Sequence, residues 1–441
     1  MMGYDREFSK MPRYLKQAPM YSGQATEEVR RTVSEMLSRI ERGGEKAIRE
    51  YSRQLDGWDP PSFLVDPKRV APAEAMLKHE LRQHIAFAQS QVRAFAEAQR
   101  AAMTDLEIEI QPGINLGHRH IPVGAVGSYV PGGRYPMLAS SFMTVIVPKV
   151  AGVQRVIACA PPRGGAGIDP AMLYAIATSG ADQMLCLGGV QALAAMAFGI
   201  EEFEPVDMIV GAGNAYVAEA KRQLFGRVGI DLLAGPTEIV VIADETADAR
   251  LVAADLLGQA EHGPTSPAIL ITTSYELGRD VLEQVKQLLR TWPTREVARE
   301  AWEAHGSVVV VDGREEAVAV SDEIAPEHLE VQVTKDEQDW YLHVLRNYGS
   351  LFLGEQATVA YGDKAVGTNH ILPTMGAARY TGGLWVGKFL KTCTYQRLTE
   401  EGTRRIAPTV AAICEAEHFG GHALTATMRL QRLPERAGST T

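Results

Sequence analysis

The sequence predicts an α/β protein with largely parallel sheets, and three observations carry that prediction. From Gly113 onward, short β-branched runs alternate with stretches of helical periodicity. Two of those runs end in glycine-rich turns that open helices, Gly188-Gly189-Val190-Gln191 and Gly211-Ala212-Gly213-Asn214. The segment 26–103 before them repeats apolar residues at helical spacing.

Taken in order, the opening segment steps by three and four through Val29, Val33, Met36, Leu37 and Ile40, and 45–55 and 74–103 repeat the pattern, which predicts helices. Tyr129-Val130-Pro131-Gly132-Gly133 is a constrained turn directly after an apolar strand. Strands are predicted at 155–160, 183–187, 206–210, 238–242, 268–272, 307–311, 330–333 and 349–353. A strand that feeds a glycine turn and a helix N-terminus leaves backbone N–H groups free to hold a phosphate. Neither turn completes G-x-G-x-x-G, so a plain turn is the other reading of each. The stretch 415–432 reads as a terminal amphipathic helix followed by a frayed tail.

A chain of 441 residues, 46% hydrophobic and 22% charged, has apolar material for more than one core, so two domains are expected. The net charge of -10, with no extended basic run, repels phosphate backbones and argues against a nucleic-acid partner. No apolar stretch approaches the ~18 residues that a membrane span needs, and the first 17 residues are polar and mixed in charge; a cytoplasmic protein without signal peptide or membrane partner is expected. Cys159, Cys186, Cys393 and Cys414 are too scattered for a disulfide framework or a Cys-type zinc site.

Four constellations could carry chemistry. Leu256 to His262 forms an apolar-periodic helix with Gln259 and His262 three residues apart, either a pair of metal donors on one face or a capped helix end before Gly263-Pro264. Glu327 and His328 follow Pro326 at the start of a strand, either a carboxylate and imidazole in a cleft or an exposed polar turn. Asp363 precedes the glycine-punctuated loop Gly367-Thr368-Asn369-His370-Ile371-Leu372-Pro373-Thr374, a site loop or a turn. Glu415-Ala416-Glu417-His418-Phe419-Gly420-Gly421-His422 is an acid–imidazole cluster or a solvated helix start.

Tyr129-Val130-Pro131-Gly132-Gly133, Pro148-Lys149-Val150-Ala151-Gly152-Val153, Gly211-Ala212-Gly213-Asn214-Ala215-Tyr216-Val217, Ala234-Gly235-Pro236-Thr237-Glu238, Gln259-Ala260-Glu261-His262, Glu327-His328-Leu329 and Asn369-His370-Ile371-Leu372-Pro373-Thr374 occur in the order typical of one family. The chain, over roughly 27–429, resembles the histidinol dehydrogenases. The resemblance implies two Rossmann-like parallel-sheet domains, with helical N- and C-terminal segments exchanged in a homodimer. It implies zinc at Gln259, His262, Asp363 and His422, the last from the partner subunit, and NAD at Tyr129, Gln191 and Asn214. It implies that Glu327 and His328 are catalytic, and that Thr237, Gln259, His262, His328, Asp363, His370, Glu417 and His422 contact substrate. The domains expected are an arm at 1–25, a discontinuous catalytic and zinc domain at 26–127 and 234–381, an NAD domain at 128–233 and a helical dimerisation segment at 382–441.

Departures cluster on the substrate side. Arg134-Tyr135-Pro136-Met137 follows the glycine turn, the run 378–389 differs from the family's usual one, and Thr368 stands where a proline is common. These changes resemble the branch that oxidises 2,3-dihydroxypropane-1-sulfonate to sulfolactate, for which Arg134, Arg379, Lys388 and His370 are candidate sulfonate contacts. Glu417, the family's partner for the histidinol amine, points back to L-histidinol as the alternative substrate. A paralogue reduced to a zinc-binding scaffold would have lost catalytic or metal positions, and none is lost.

Overall fold

The computed structural model describes residues 13–19, 26–132, 135–200 and 202–434. In chain order the elements are β1 (Arg13–Lys16), α1 (Glu27–Asp56), α2 (Val70–Ala75), α3 (His79–Ala101), β2 (Leu106–Gln111), β3 (Ile114–Pro122), β4 (Ala125–Tyr129), α4 (Leu138–Ala151), β5 (Arg155–Ala160), α5 (Pro170–Ser179), β6 (Gln183–Cys186), α6 (Gly189–Phe198), β7 (Met208–Val210), α7 (Ala215–Leu224) and β8 (Gly229–Ile230). They continue with β9 (Ile239–Ala243), α8 (Ala249–Ala260), β10 (Ala268–Thr272), α9 (Tyr275–Leu288), α10 (Arg295–His305), β11 (Gly306–Val310), α11 (Arg314–Ile324), β12 (His328–Gln332), α12 (Lys335–Val344), β13 (Ser350–Leu353), α13 (Val359–Lys364), β14 (Leu390–Leu398), α14 (Glu400–Ala416) and α15 (Gly420–Gln431). Two compact units divide the chain, one within 1–98 and 123–389, the other within 99–122 and 390–441.

The first unit holds two sheets. The smaller has the strand order β6-β5-β4-β7-β8 and is parallel throughout. The larger runs β1-β11-β10-β9-β12-β13 and is parallel except for β1, which pairs antiparallel with β11 at the edge. Each parallel set builds outward from its first strand on one side and then reverses, between β4 and β7 in one sheet and between β9 and β12 in the other. Such a reversal leaves a crevice where connections diverge.

Parallel strands covered on both faces read as continuous apolar runs, and β4, β5 and β9 are almost wholly buried in this way. α1 starts where the Thr26 hydroxyl accepts from the Val29 N–H and ends at Gly57. It lays Val33, Met36, Leu37, Ile40 and Ile48 into the core of the smaller sheet beside Ile157, Leu185 and Leu193. Over the larger sheet, α8 packs Val252, Leu256 and Leu257 against Ile239, Val241 and Leu270, while Leu329 and Val331 face the opposite layer with Val240, Ile242 and Tyr341. β12 breaks the apolar rule: His328, Glu330 and Gln332 alternate with Leu329 and Val331, and all five are buried. At the smaller reversal Gly211 has φ 114, and a Cβ there would strike the Tyr129 carbonyl, so only glycine lets β4 and the turn after β7 close together.

The second unit is an antiparallel sheet, β14-β3-β2, with the helix pair α14 and α15. Within 382–441, expected to be a helical segment, nine residues form a strand before α14 and α15, paired without interruption from Leu390↔Pro122 to Leu398↔Ile114. Thr392, Thr394 and Tyr395 favour strand, but β14 is exposed along nearly all its length, so no polar–apolar alternation marks it. The predicted helix 415–432 is two helices, because His418 turns left-handed at φ 61 between α14 and α15. Among the described residues no helix is long and apolar enough to cross a membrane. All four cysteines are free, with Cys159 and Cys186 buried.

Candidate active site

Glu327 and His328 stand at the amino end of β12, beside Thr237 and Glu238 at the amino end of β9, because the two strands pair in register from His328↔Ile239. Glu327 and His328 are 5% and 2% exposed, which removes the exposed-turn reading of this dipeptide. Gln259, on the last turn of α8, donates its amide N–H to the Thr237 hydroxyl. That hydroxyl donates at 2.5 Å to Glu327 Oε2, which also accepts the Glu238 N–H at 3.0 Å. A directional chain therefore runs from amide to hydroxyl to carboxyl oxygen.

His328 Nδ1 lies 2.9 Å from the Glu238 carbonyl oxygen, which can only accept, so Nδ1 carries a proton. Nε2 is then the open nitrogen of the neutral ring. It is buried, has no hydrogen-bond partner among the described residues, and faces Asp363 Oδ1 at 3.6 Å. Burial disfavours the imidazolium, but the flanking carboxylates Glu327 and Asp363 outweigh it and hold the His328 pKa well above the usual value, so a cation held by Asp363 would be needed to offset that pull and leave Nε2 free to accept a proton. Burial would likewise raise Asp363, yet His328, His370 and Lys364 keep it well below the ordinary carboxylate range. Glu238, buried beside Glu327, is pushed up to about 7.

His262 lies just past the end of α8, so the turn, rather than the helix face, delivers it. Its Nδ1 is 3.2 Å from the Gln259 carbonyl, and its Nε2 is 4.0 Å from Asp363 Oδ2. Donation from Nδ1 fixes the tautomer that leaves Nε2 as a lone-pair donor. Two metal bonds of about 2.0–2.2 Å span up to roughly 4.4 Å, so this imidazole–carboxylate pair can share one ion. With the Gln259 amide one turn away, the pair makes a three-donor set of the N/O kind. Among the described residues no group of three or more His, Cys, Asp or Glu side chains gathers for a metal. His370 packs behind it, with Nε2 2.7 Å from Ser140 Oγ and Nδ1 3.0 Å from the Asp363 carbonyl.

At the smaller sheet's reversal, Tyr129 ends β4 and its hydroxyl accepts the Gly189 N–H at 3.2 Å. The Gln191 amide donates to Asp56 at 2.9 Å, while its oxygen is buried and has no hydrogen-bond partner among the described residues. Burial raises the Asp56 pKa more than Gln191 lowers it, and nothing in the sequence around Asp56 announces this contact. Asn214 caps α7, accepting from Tyr216 and Val217 at 3.1 Å. A cleft of about 770 Å³ runs past Gly213, Asn214, Leu233, Thr237, His262 and Met375, joining the α7 terminus to the polar cluster.

Arg134 lies outside the described residues. Arg379 is exposed and makes none of the site's hydrogen bonds. Lys388 is turned to the Thr381 hydroxyl at 2.6 Å. Glu417 and His422 belong to the second unit, where both are exposed and the His422 ring meets Phe419 edge-on.

The profile of the family described as histidinol dehydrogenase matches residues 20–430. A histidinol dehydrogenase homolog of Shouchella clausii is 53% identical over 96% of this chain and 99% of its own length. The sulfopropanediol 3-dehydrogenase of Ruegeria pomeroyi is 46% identical over 95% of this chain and 96% of its own. The crystal structure of histidinol dehydrogenase from Elizabethkingia anophelis is similar at a TM-score of 0.88 and 34% identity, covering 94% of each chain.

Proposed function

The chain belongs to the histidinol dehydrogenase family, and from that premise we propose that it is a zinc-dependent, NAD-linked dehydrogenase that oxidises a primary alcohol through the aldehyde to the carboxylate. The observation that carries this reading is the buried Glu327–His328 pair, with one member fixed in orientation by the Thr237 hydroxyl and the other open at Nε2. When bound, NAD supplies the hydride acceptor, and zinc on Gln259, His262 and Asp363 fixes the substrate oxygen. His328 takes the alcohol proton at Nε2, with Nδ1 anchored on the Glu238 carbonyl so that the ring cannot turn away. Glu327, fixed through Oε2, offers Oε1 to a water that adds to the aldehyde. His328 then takes the hydrate proton as the second hydride leaves. One alcohol, one water and two NAD thus give one carboxylate, two NADH and three protons.

The substrate we propose is (R)-2,3-dihydroxypropane-1-sulfonate, giving sulfolactate. Support comes from the 46% identity to the sulfopropanediol enzyme, against 38–40% to relatives named histidinol dehydrogenase, while the relative at 53% carries only the name histidinol dehydrogenase homolog. L-Histidinol is the second reading, favoured by Glu417. On either, residues 128–233 carry NAD between the two parts of the catalytic domain at 26–127 and 234–381. The terminal segments then serve a cytoplasmic homodimer in which His422 of one copy completes the zinc set of the other. The exposed Leu106, Ile108, Ile110, Ile413, Phe419, Leu424 and Met428 of the second unit favour that assembly. The test is NADH formed per substrate consumed by zinc-loaded protein. About two per sulfonate and none with L-histidinol supports the reading, whereas the reverse ratio moves the protein to histidinol.

A further inference from the structure

Burying a carboxyl group on an apolar sheet face is costly unless something compensates. Glu330 is fully buried and takes no part in the chemistry above. Its Oε1 accepts the Val359 N–H at 3.0 Å, at the start of α13. The Gln332 amide donates at once to Glu330 Oε2 at 3.1 Å and to Asp255 Oδ2, on α8, at 2.9 Å. The Thr358 hydroxyl donates to Asp255 Oδ1 at 3.0 Å. The Gln332 amide thus ties the two carboxyls to one donor. Burial, then Asp255, pushes Glu330 up to about 8, and burial raises Asp255 as well. The strands flanking Glu330 bring Val241 and Phe352 to its level, so no cation relieves the pair from the sheet.

The spacing is what matters. Asp255 stands four residues, one helical turn, before Gln259 on α8. Glu330 stands two residues after His328, on the same face of β12. Val359 stands one turn before Asp363 on α13.

We propose that the Asp255–Glu330 carboxyl pair is the positioning device of the active site, fastening α8, β12 and α13 together one structural repeat away from Gln259, His328 and Asp363. This rests on the functional reading above, in which those three residues hold the metal and move the proton. The pair touches neither.

Three variants decide it, each measured for zinc affinity against a chromophoric chelator, amide hydrogen exchange across α13, and kcat and KM. Glu330→Asp withdraws the carboxyl by one methylene, so it cannot reach Val359 and Asp255 together. We expect about tenfold weaker zinc binding, faster exchange in α13 and about tenfold lower kcat, with KM for NAD within about twofold. Glu330→Gln keeps one donor and one acceptor without a titrating proton and should restore all three to within about threefold; Asp255→Asn should match it. Wild-type zinc affinity and exchange in Glu330→Asp would overturn the proposal, as would Glu330→Gln failing to rescue. Should the wild-type protein oxidise neither alcohol, the functional reading falls, while exchange in α13 still decides whether the pair fastens the elements.

Discussion

His328 is held at Nδ1 and open at Nε2, whereas Glu327 is held at Oε2 by a hydroxyl and a backbone N–H, so the two side chains are fitted to different proton transfers. His328→Asn should therefore lower both oxidations by about 10²–10⁴-fold. Glu327→Gln should spare alcohol-to-aldehyde turnover and stall the hydrated second step. Supplying the aldehyde directly and following NADH separates the steps, and equal loss of both in Glu327→Gln would show the assigned roles to be wrong.

At the scale of the element, the mixed polarity of β12 is a stability problem as well as a positioning device. Glu330 titrates at about 8 in the fold, against an ordinary 4.5 in the open chain. Between those values the folded protein binds the extra proton, so the pair's contribution is fully present below the usual carboxylate range and is lost as pH rises towards 8. The midpoint of thermal unfolding should fall over that window in the wild-type protein, and Glu330→Gln should flatten that part of the profile. An unchanged slope in the variant would assign the pH dependence elsewhere. The same element shows what sequence reading could reach. The Glu327-His328 dipeptide stood out because an imidazole beside a carboxylate after proline is locally distinctive. The Asp255–Glu330 pair did not, because its partners are 75 residues apart and only the register of β12 on β9 and the phase of α8 bring them together.

For the whole molecule, the first unit was readable because parallel strands buried on both faces leave unbroken apolar runs, as in Ile239–Ala243 and Arg155–Ala160. The second unit was read less well: β14 is exposed along nearly all its length and carries no alternation, whereas β2 does alternate Leu106, Ile108 and Ile110 with Glu107, Glu109 and Gln111, a strand signal that was present and passed over. If that unit serves a second copy, a mixture of His328→Asn and His422→Ala chains should regain about a quarter of wild-type turnover after subunit exchange, since half the dimers are mixed and each mixed dimer keeps one intact site. No recovery would place His422 in its own chain's site. One asymmetry of the larger sheet has a practical side. The proposed reacting pair stands at the amino end of β12, beside that of β9, which leaves the turn at the opposite end of β9, with exposed Glu245, about 16 Å of strand away. A dye, tether or electrode linker attached through Glu245→Cys gives a handle for immobilising the enzyme with its cleft unobstructed.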